Sequence, residues 1–206
     1  MALRFCIVVV VLVVVPLLSG AEDIKVPNGG PWGALGPRIL CPPGSYAYAF
    51  SIQVEAKLSG GDDTAMNGLQ LYCKKDDSPT DVPIASEGPF GEWTMPKECP
   101  SGRLDAFQLR VEPPRGVGID DTAANNIRFH CSGGGKLLGD GLNWGAWGPW
   151  SDTCAHGVCG LQARTEGRLG HGSSADDTGL NDVILICCTS DSTATGWRWW
   201  RMLSSW

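Results

Sequence analysis

Asp62-Asp63-Thr64-Ala65-Met66-Asn67-Gly68-Leu69-Gln70-Leu71-Tyr72-Cys73 is the stretch that decides the fold, because the chain writes it three times. It returns as Asp120-Asp121-Thr122-Ala123-Ala124-Asn125-Asn126-Ile127-Arg128-Phe129-His130-Cys131. A third copy runs Asp176-Asp177-Thr178-Gly179-Leu180-Asn181-Asp182-Val183-Ile184-Leu185-Ile186-Cys187. The copies begin at 62, 120 and 176, periods of 58 and 56 residues. Upstream, Trp32-Gly33 leading to Cys41 matches Phe90-Gly91 leading to Cys99, and Trp144-Gly145 leads to Cys154 with one residue inserted. Between these landmarks, Phe50-Ser51-Ile52-Gln53-Val54-Glu55 echoes Phe107-Gln108-Leu109-Arg110-Val111-Glu112, and the third copy keeps Leu161-Gln162-Ala163. Self-similarity at a fixed period marks a body assembled from repeated units.

Each unit reads as strands. Leu69, Leu71 and Cys73 alternate onto one face, as do Ile127, Phe129 and Cys131, and Val183, Leu185 and Cys187. Phe50, Ile52 and Val54 alternate in the same way, as do Phe107, Leu109 and Val111. Period-2 patterning belongs to half-buried strands. No sustained helical period occurs beyond the leader, so the protein is expected to be all-β. The reading gives a single domain over 22–190 with repeats at about 29–86, 87–140 and 141–190. Three units are too few for a propeller, and an open solenoid would leave strand edges unpaired. A prism of three small sheets and a β-trefoil remain. Trp32, Trp93, Trp144, Trp147 and Trp150 are expected to fill the interior or cover the sheet ends.

The Asp-Asp-Thr-x-x-Asn elements are expected to be structural turns: Asp62, Asp63, Thr64 and Asn67; Asp120, Asp121, Thr122 and Asn125; Asp176, Asp177, Thr178 and Asn181. Asp and Thr side chains accept hydrogen bonds from amides just downstream. Asn67-Gly68, Asn125-Asn126 and Asn181-Asp182 tolerate the positive φ of a tight turn. The rival is a calcium site, but such a loop draws six or more oxygens, more than this short element supplies alone.

Residues 1–21 have the build of a secretory signal peptide: Arg4, the apolar run Phe5 to Val15, Pro16, then small Ser19-Gly20-Ala21. The run is shorter than the ~20 residues that span a bilayer, and no second one follows. The expected product is secreted and extracellular, with no transmembrane segment. A formal net charge of −6, with no more than two adjacent basic residues anywhere, excludes the concentrated basic face that nucleic acid requires. Beyond the leader stand eight cysteines: Cys41, Cys73, Cys99, Cys131, Cys154, Cys159, Cys187 and Cys188. An even number in an oxidising compartment implies disulfides. Neither the Cys154–Cys159 spacing nor the adjacent Cys187-Cys188 suits a zinc knuckle, so no metal and no cofactor are expected. Repeat symmetry pairs Cys41 with Cys73, Cys99 with Cys131 and Cys154 with Cys187. Cys159 and Cys188 are left for each other, with exchange between Cys187 and Cys188 the open alternative. These bridges are expected to lie within each unit, leaving the units joined by packing alone.

Gly30-Pro31-Trp32-Gly33, the three turns ending in cysteine, Val111-Glu112-Pro113-Pro114 and Cys187-Cys188 together resemble the vitelline membrane outer layer protein 1 family over roughly residues 28–189. The resemblance implies a β-prism of three Greek-key sheets about a pseudo-three-fold axis. It also implies a secreted coat protein, since the avian member lies in the outer vitelline layer of the egg beside ovomucin and lysozyme. A transferase activity on N-acetyl-chitooligosaccharides attributed to that member supplies the enzymatic alternative. Family members end soon after the paired cysteines, whereas this chain continues through a Trp-rich extension, 191–206, with Trp197, Trp199, Trp200 and Trp206.

Glycoside chemistry needs two carboxyls about 5–9.5 Å apart. The candidates are Glu55 and Glu112 at matched strand positions, where period 2 turns them outward; the third copy is read as having Arg164 there. His130, His156 and His171 fall in no nucleophile or metal motif. Two function classes follow: a disulfide-stapled coat or matrix protein that binds glycans or coat glycoproteins, or a glycan-processing transferase or hydrolase. The first is the expectation.

Overall fold

The paired apolar stretches of each copy form one long antiparallel hairpin in the computed structural model, which describes residues 22–55, 64–80, 83–113, 123–167 and 179–190. The leader, the extension from 191 onward, His171 and most of the Asp-Asp-Thr triplets (all but Thr64) lie outside the described residues. In chain order the strands begin with β1 (Asp23–Ile24), β2 (Ala34–Leu35), β3 (Ile39–Leu40), β4 (Tyr46–Val54) and β5 (Met66–Lys75). Next come β6 (Ser78–Pro79), β7 (Ile84–Ser86), β8 (Glu92–Trp93), β9 (Lys97–Glu98) and β10 (Leu104–Val111). The last are β11 (Ala124–Cys131), β12 (Lys136–Leu138), β13 (Ala146–Trp147), β14 (Val158–Thr165) and β15 (Leu180–Cys187).

Three sheets result, one around each hairpin. Sheet one has the order β6-β5-β4-β8, with β7 also on β5 and β9 also on β4. Sheet two is β12-β11-β10-β13. Sheet three is β1-β15-β14-β2, with β3 on β14. The architecture is a β-prism. The hairpin registers are equivalent, setting Phe50↔Leu71, Phe107↔Phe129 and Leu161↔Leu185 at matching heights. Each hairpin shifts register twice at corresponding places, between Ala47/Ala49 and Gln53/Val54, Leu104/Ala106 and Arg110/Val111, Val158/Gly160 and Arg164/Thr165. Paired bulges increase local twist and let the sheets curl.

The inward positions fill one core. Phe50, Phe107, Phe129, Ile52, Leu109, Ile127, Leu71, Leu161 and Leu185 are fully buried. The Phe50 ring lies 4.6 Å from Phe129, and Phe107 lies 6.2 Å from it. Each such side chain contributes roughly 1.5–3 kcal/mol through burial. The tryptophans are not part of this core. Trp93, Trp144, Trp147 and Trp150 are half-buried on the outer surface, and Trp32 is 53% exposed. Indole is large and carries an N–H that needs a partner, whereas phenyl and branched aliphatic groups fit a dry three-fold axis.

The units are not joined by packing alone. The Trp/Phe-Gly segment that opens each copy pairs with the hairpin of the copy before it. Thus β8 adds to β4, β13 adds to β10, and β2, from the beginning of the chain, adds to β14 near its end. Gly33, Gly91 and Gly145 make this possible, with φ of 79°, 83° and 70°. A Cβ on any of them would meet backbone of the neighbouring strand at 2.1–2.3 Å, so only glycine fits.

The cysteines follow the same exchange. The structure bridges Cys41–Cys73, Cys99–Cys131, Cys154–Cys187 and Cys159–Cys188. The first three do not lie within a sheet. Cys41 N–H donates to Cys159 O in sheet three while its sulfur reaches Cys73 in sheet one. Cys99 N–H donates to Tyr48 O in sheet one and its sulfur reaches Cys131 in sheet two. Cys154 N–H donates to Asp105 O in sheet two and its sulfur reaches Cys187 in sheet three. Three bridges therefore staple the three seams in turn. The fourth lies within sheet three.

Candidate functional site

The matched turns come first, because the sequence singles them out. Their left-handed residues are Ala65 (φ 52°), Ala123 (φ 41°) and Gly179 (φ 65°). Asn67-Gly68, Asn125-Asn126 and Asn181-Asp182 lie two residues later, inside β5, β11 and β15. The positive-φ expectation is thus displaced by two residues. Those carbonyls close the hairpins: Glu55 N–H donates to Ala65 O, Glu112 N–H to Ala123 O and Glu166 N–H to Gly179 O, each at 2.8 Å. The third copy therefore carries Glu166, not Arg164, at the glutamate position. Arg164 matches Gln53 and Arg110.

Glu55 is committed to its own turn. Its Oε2 accepts from the Thr64 hydroxyl at 2.6 Å and from the Thr64 N–H at 3.4 Å. Asn67 Nδ2 donates to Thr64 Oγ1 at 2.6 Å. Asn67, Asn125 and Asn181 are fully buried, and each Nδ2 reaches the carbonyl two residues back at 3.3–3.4 Å. Glu55, Glu112 and Glu166 each follow directly on the first strand of a hairpin, β4, β10 and β14, in three different sheets. Among the described residues no group of three His, Cys, Asp or Glu side chains gathers to hold a metal ion.

A different surface concentrates chemistry. On the outer face of sheet two, Arg128 and His130 point away from the buried Ile127, Phe129 and Cys131. The Arg128 guanidinium lies 4.5 Å from the Trp147 ring centroid and 5.5 Å from that of Trp150. Its Nε donates to Gln108 Oε1, and Gln108 Nε2 donates to Gly148 O at 2.6 Å. His130 Nδ1 donates to Asp105 Oδ1 at 2.7 Å, beneath an edge-on contact with Trp150 at 6.3 Å. Lys136 Nζ lies 5.3 Å from the Trp150 ring. The Asp105 side chain is only 7% exposed, so it anchors the histidine from below.

The equivalent rows differ. The registers put Gln70 and Ile184 where sheet two has Arg128, and Tyr72 and Ile186 where it has His130. Sheet one holds a tyrosine face, with Lys74 Nζ 5.0 Å from the Tyr48 ring and Arg103 4.5 Å from the Tyr46 ring. Sheet three is apolar there, and Ile184 and Ile186 are buried. The sequence reading missed Arg128, Gln108, Asp105, His130 and Trp150 as a group. The available signal was the alternation Ile127-Arg128-Phe129-His130-Cys131 opposite tryptophans recurring every three residues at 144, 147 and 150.

Comparison with known proteins places these features. The sequence model of the family described as Vitelline membrane outer layer protein I matches residues 22–190. A human protein named vitelline membrane outer layer protein 1 homolog is 48% identical over 171 residues, 81% of this chain and 83% of its own length. The mouse protein of that name is 45% identical over 174 residues, 82% and 85%. Among solved structures, frutapin, a lectin from Artocarpus incisa, superposes with TM-score 0.52 at 12% identity, covering 82% of this chain and 99% of that one. Artocarpin complexed with Me-alpha-mannose gives TM-score 0.53 at 11% identity, covering 82% and 97%. A mannose-specific jacalin-related lectin from Morus nigra gives 0.52 at 9% identity, covering 82% and 94%. At these identities the likeness is one of fold, the β-prism.

Proposed function

The chain belongs to the vitelline membrane outer layer protein I family, and from that premise we propose that it is a secreted structural protein of an extracellular coat or matrix that binds glycans on the outer face of sheet two. The observation that carries this reading is the Trp147–Arg128–Trp150 stack, where half-buried indoles flank an ordered polar group. Aromatic bodies with polar edges suit sugars, which present apolar C–H faces and hydroxyl rims. Gln108 and Asp105 fix the side chains before any ligand arrives, which limits the entropy lost on binding. Four disulfides favour an oxidising, extracellular setting. Two of the β-prism lectins carry mannose in their descriptions, which supports a sheet prism as a scaffold for carbohydrate. The enzymatic alternative draws no support from Glu55, whose carboxylate holds Thr64.

A glycan array followed by product analysis tests this. Retention of glycan without turnover is expected. Released product that disappears in Glu55→Gln would establish the enzyme instead, and retention of no glycan would end the binding reading.

A further inference from the structure

The whole chain carries a formal net charge of −6, yet the outer face of sheet two presents Arg110, Arg128 and Lys136. Arg128 is set apart by how little of its guanidinium is used. Among the described arginines, Arg38 forks onto the Asp23 carboxylate. Arg103 Nη1 donates to His156 O, Arg110 Nη1 to Asn143 Oδ1 and Arg164 Nη1 to Gly33 O. Arg128 alone donates through Nε only, to Gln108. Its two Nη groups meet no acceptor and no carboxylate among the described residues. The nearby Asp105 carboxylate is committed to His130. Lys136, which faces His130 across β11 and β12, forms no ion pair among the described residues.

A guanidinium half-removed from water, held by two indoles and lacking a counter-charge is stabilised by an incoming anion. Its free edge is a planar fork whose spacing matches the two oxygens of a carboxylate or of a sulfate ester. The half-exposed rings of Trp147 and Trp150 beside that fork offer apolar area for the body of a sugar. A run of Asp and Glu side chains has no ring to place there.

We propose that the glycan held by sheet two is acidic, with a carboxylate or sulfate group seated on Nη1 and Nη2 of Arg128 and a second contact from Lys136. The inference rests on the reading that this face binds glycans, and it names the ligand class and the residue that selects it.

The test is titration calorimetry of the secreted protein against four probes: a sialylated trisaccharide, the corresponding sulfated trisaccharide, the neutral parent sugar and a polyglutamate peptide. The acidic sugars are expected to bind about ten-fold or more tightly than the neutral parent, with affinity falling as salt rises. The tighter of the two identifies the anion. Arg128→Gln is expected to erase the preference, and Arg128→Lys, which keeps the charge but not the fork, to retain part of it. Lys25→Gln, a change of equal charge just past β1 of sheet three, is expected to have no effect. An unaltered melting temperature in each variant excludes unfolding as the cause. Equal binding of neutral and acidic sugars, unaffected by Arg128→Gln, would overturn the inference and leave glycan binding standing. Polyglutamate binding as tightly as the acidic sugars would assign the face to an acidic protein. Binding of no sugar would remove both readings.

Discussion

Burial pushes the Asp182 carboxyl above its ordinary value of 3.8, against the Val183 N–H and the Arg164 and Lys25 charges, which pull it down. Its Oδ1 accepts from Val183 N–H at 2.8 Å, and Asn126, the matching residue in sheet two, accepts from Ile127 N–H at the same distance. The site thus works with a neutral amide in one copy and a half-buried acid in another. An acid whose folded value is raised favours folding below its unfolded value and loses that contribution as pH rises through the folded value. Asp182→Asn is therefore expected to match the parent in stability below about pH 3.8 and to exceed it near neutrality. Thermal melts across that range check this, and a pH-independent difference would contradict it. Asp23 shows the opposite sign, held below the usual range by the Arg38 guanidinium. That pair is largely exposed and adds little. This level of detail was only partly legible in the sequence. Glu166 escaped notice because Thr165 stands where the other copies have Val54 and Val111, which breaks the apolar alternation that marks the glutamate. Its spacing from Leu161 is the same as that of Glu55 from Phe50. The left-handed residues were misplaced because alanine occupies two of them, where propensity favours Asn or Gly.

Among elements, the strand-exchange segments carry the most specific requirement. Gly91 sits at φ 83° with Val54 and Glu55 backbone where a Cβ would be. Gly91→Ala is expected to cost about 1–3 kcal/mol or more through strain and the displaced β8 pairing. Gly134→Ala is the contrast: its φ is 94°, but nothing lies within 4 Å of its Cβ. Chemical denaturation of both variants checks the difference, and equal losses would show that φ strain alone matters. The strands themselves were legible because their inward residues alternate, and those positions are buried in the hairpins, from Leu69 and Leu71 to Val183 and Leu185. The exceptions are Val54 and Val111 at the strand ends, which are half-buried. Which sheet each segment joins was not legible. A three-fold repeat looks the same whether an opening segment pairs with its own copy or the previous one, and only the steric demand at Gly33, Gly91 and Gly145 decides.

For the whole molecule, exchange makes sheet three from both ends of the domain, since β1, β2 and β3 complete the β14–β15 hairpin. The disulfides then close the ring of seams. Replacing Cys99 and Cys131 together by serine is expected to cost about 2–5 kcal/mol and to open the seam between sheets one and two first. Amide exchange checks the locality: protection lost evenly over the three sheets would contradict a seam staple. The repeat arithmetic supplied the right partners, but it put the three repeated bridges inside single units rather than across seams, because equal sequence separations say nothing about which sheet each cysteine occupies. The face that gives the prism its proposed role is likewise a product of divergence among copies: one polar and basic, one rich in tyrosine, one apolar. The most direct test of that role is nuclear magnetic resonance titration of the labelled protein with an acidic oligosaccharide, following the indole N–H signals. The account predicts that Trp147 and Trp150 move with the Arg128 side chain while Trp32 and Trp93 stay in place. Movement confined to Trp32 or Trp93, or to neither group, would contradict it.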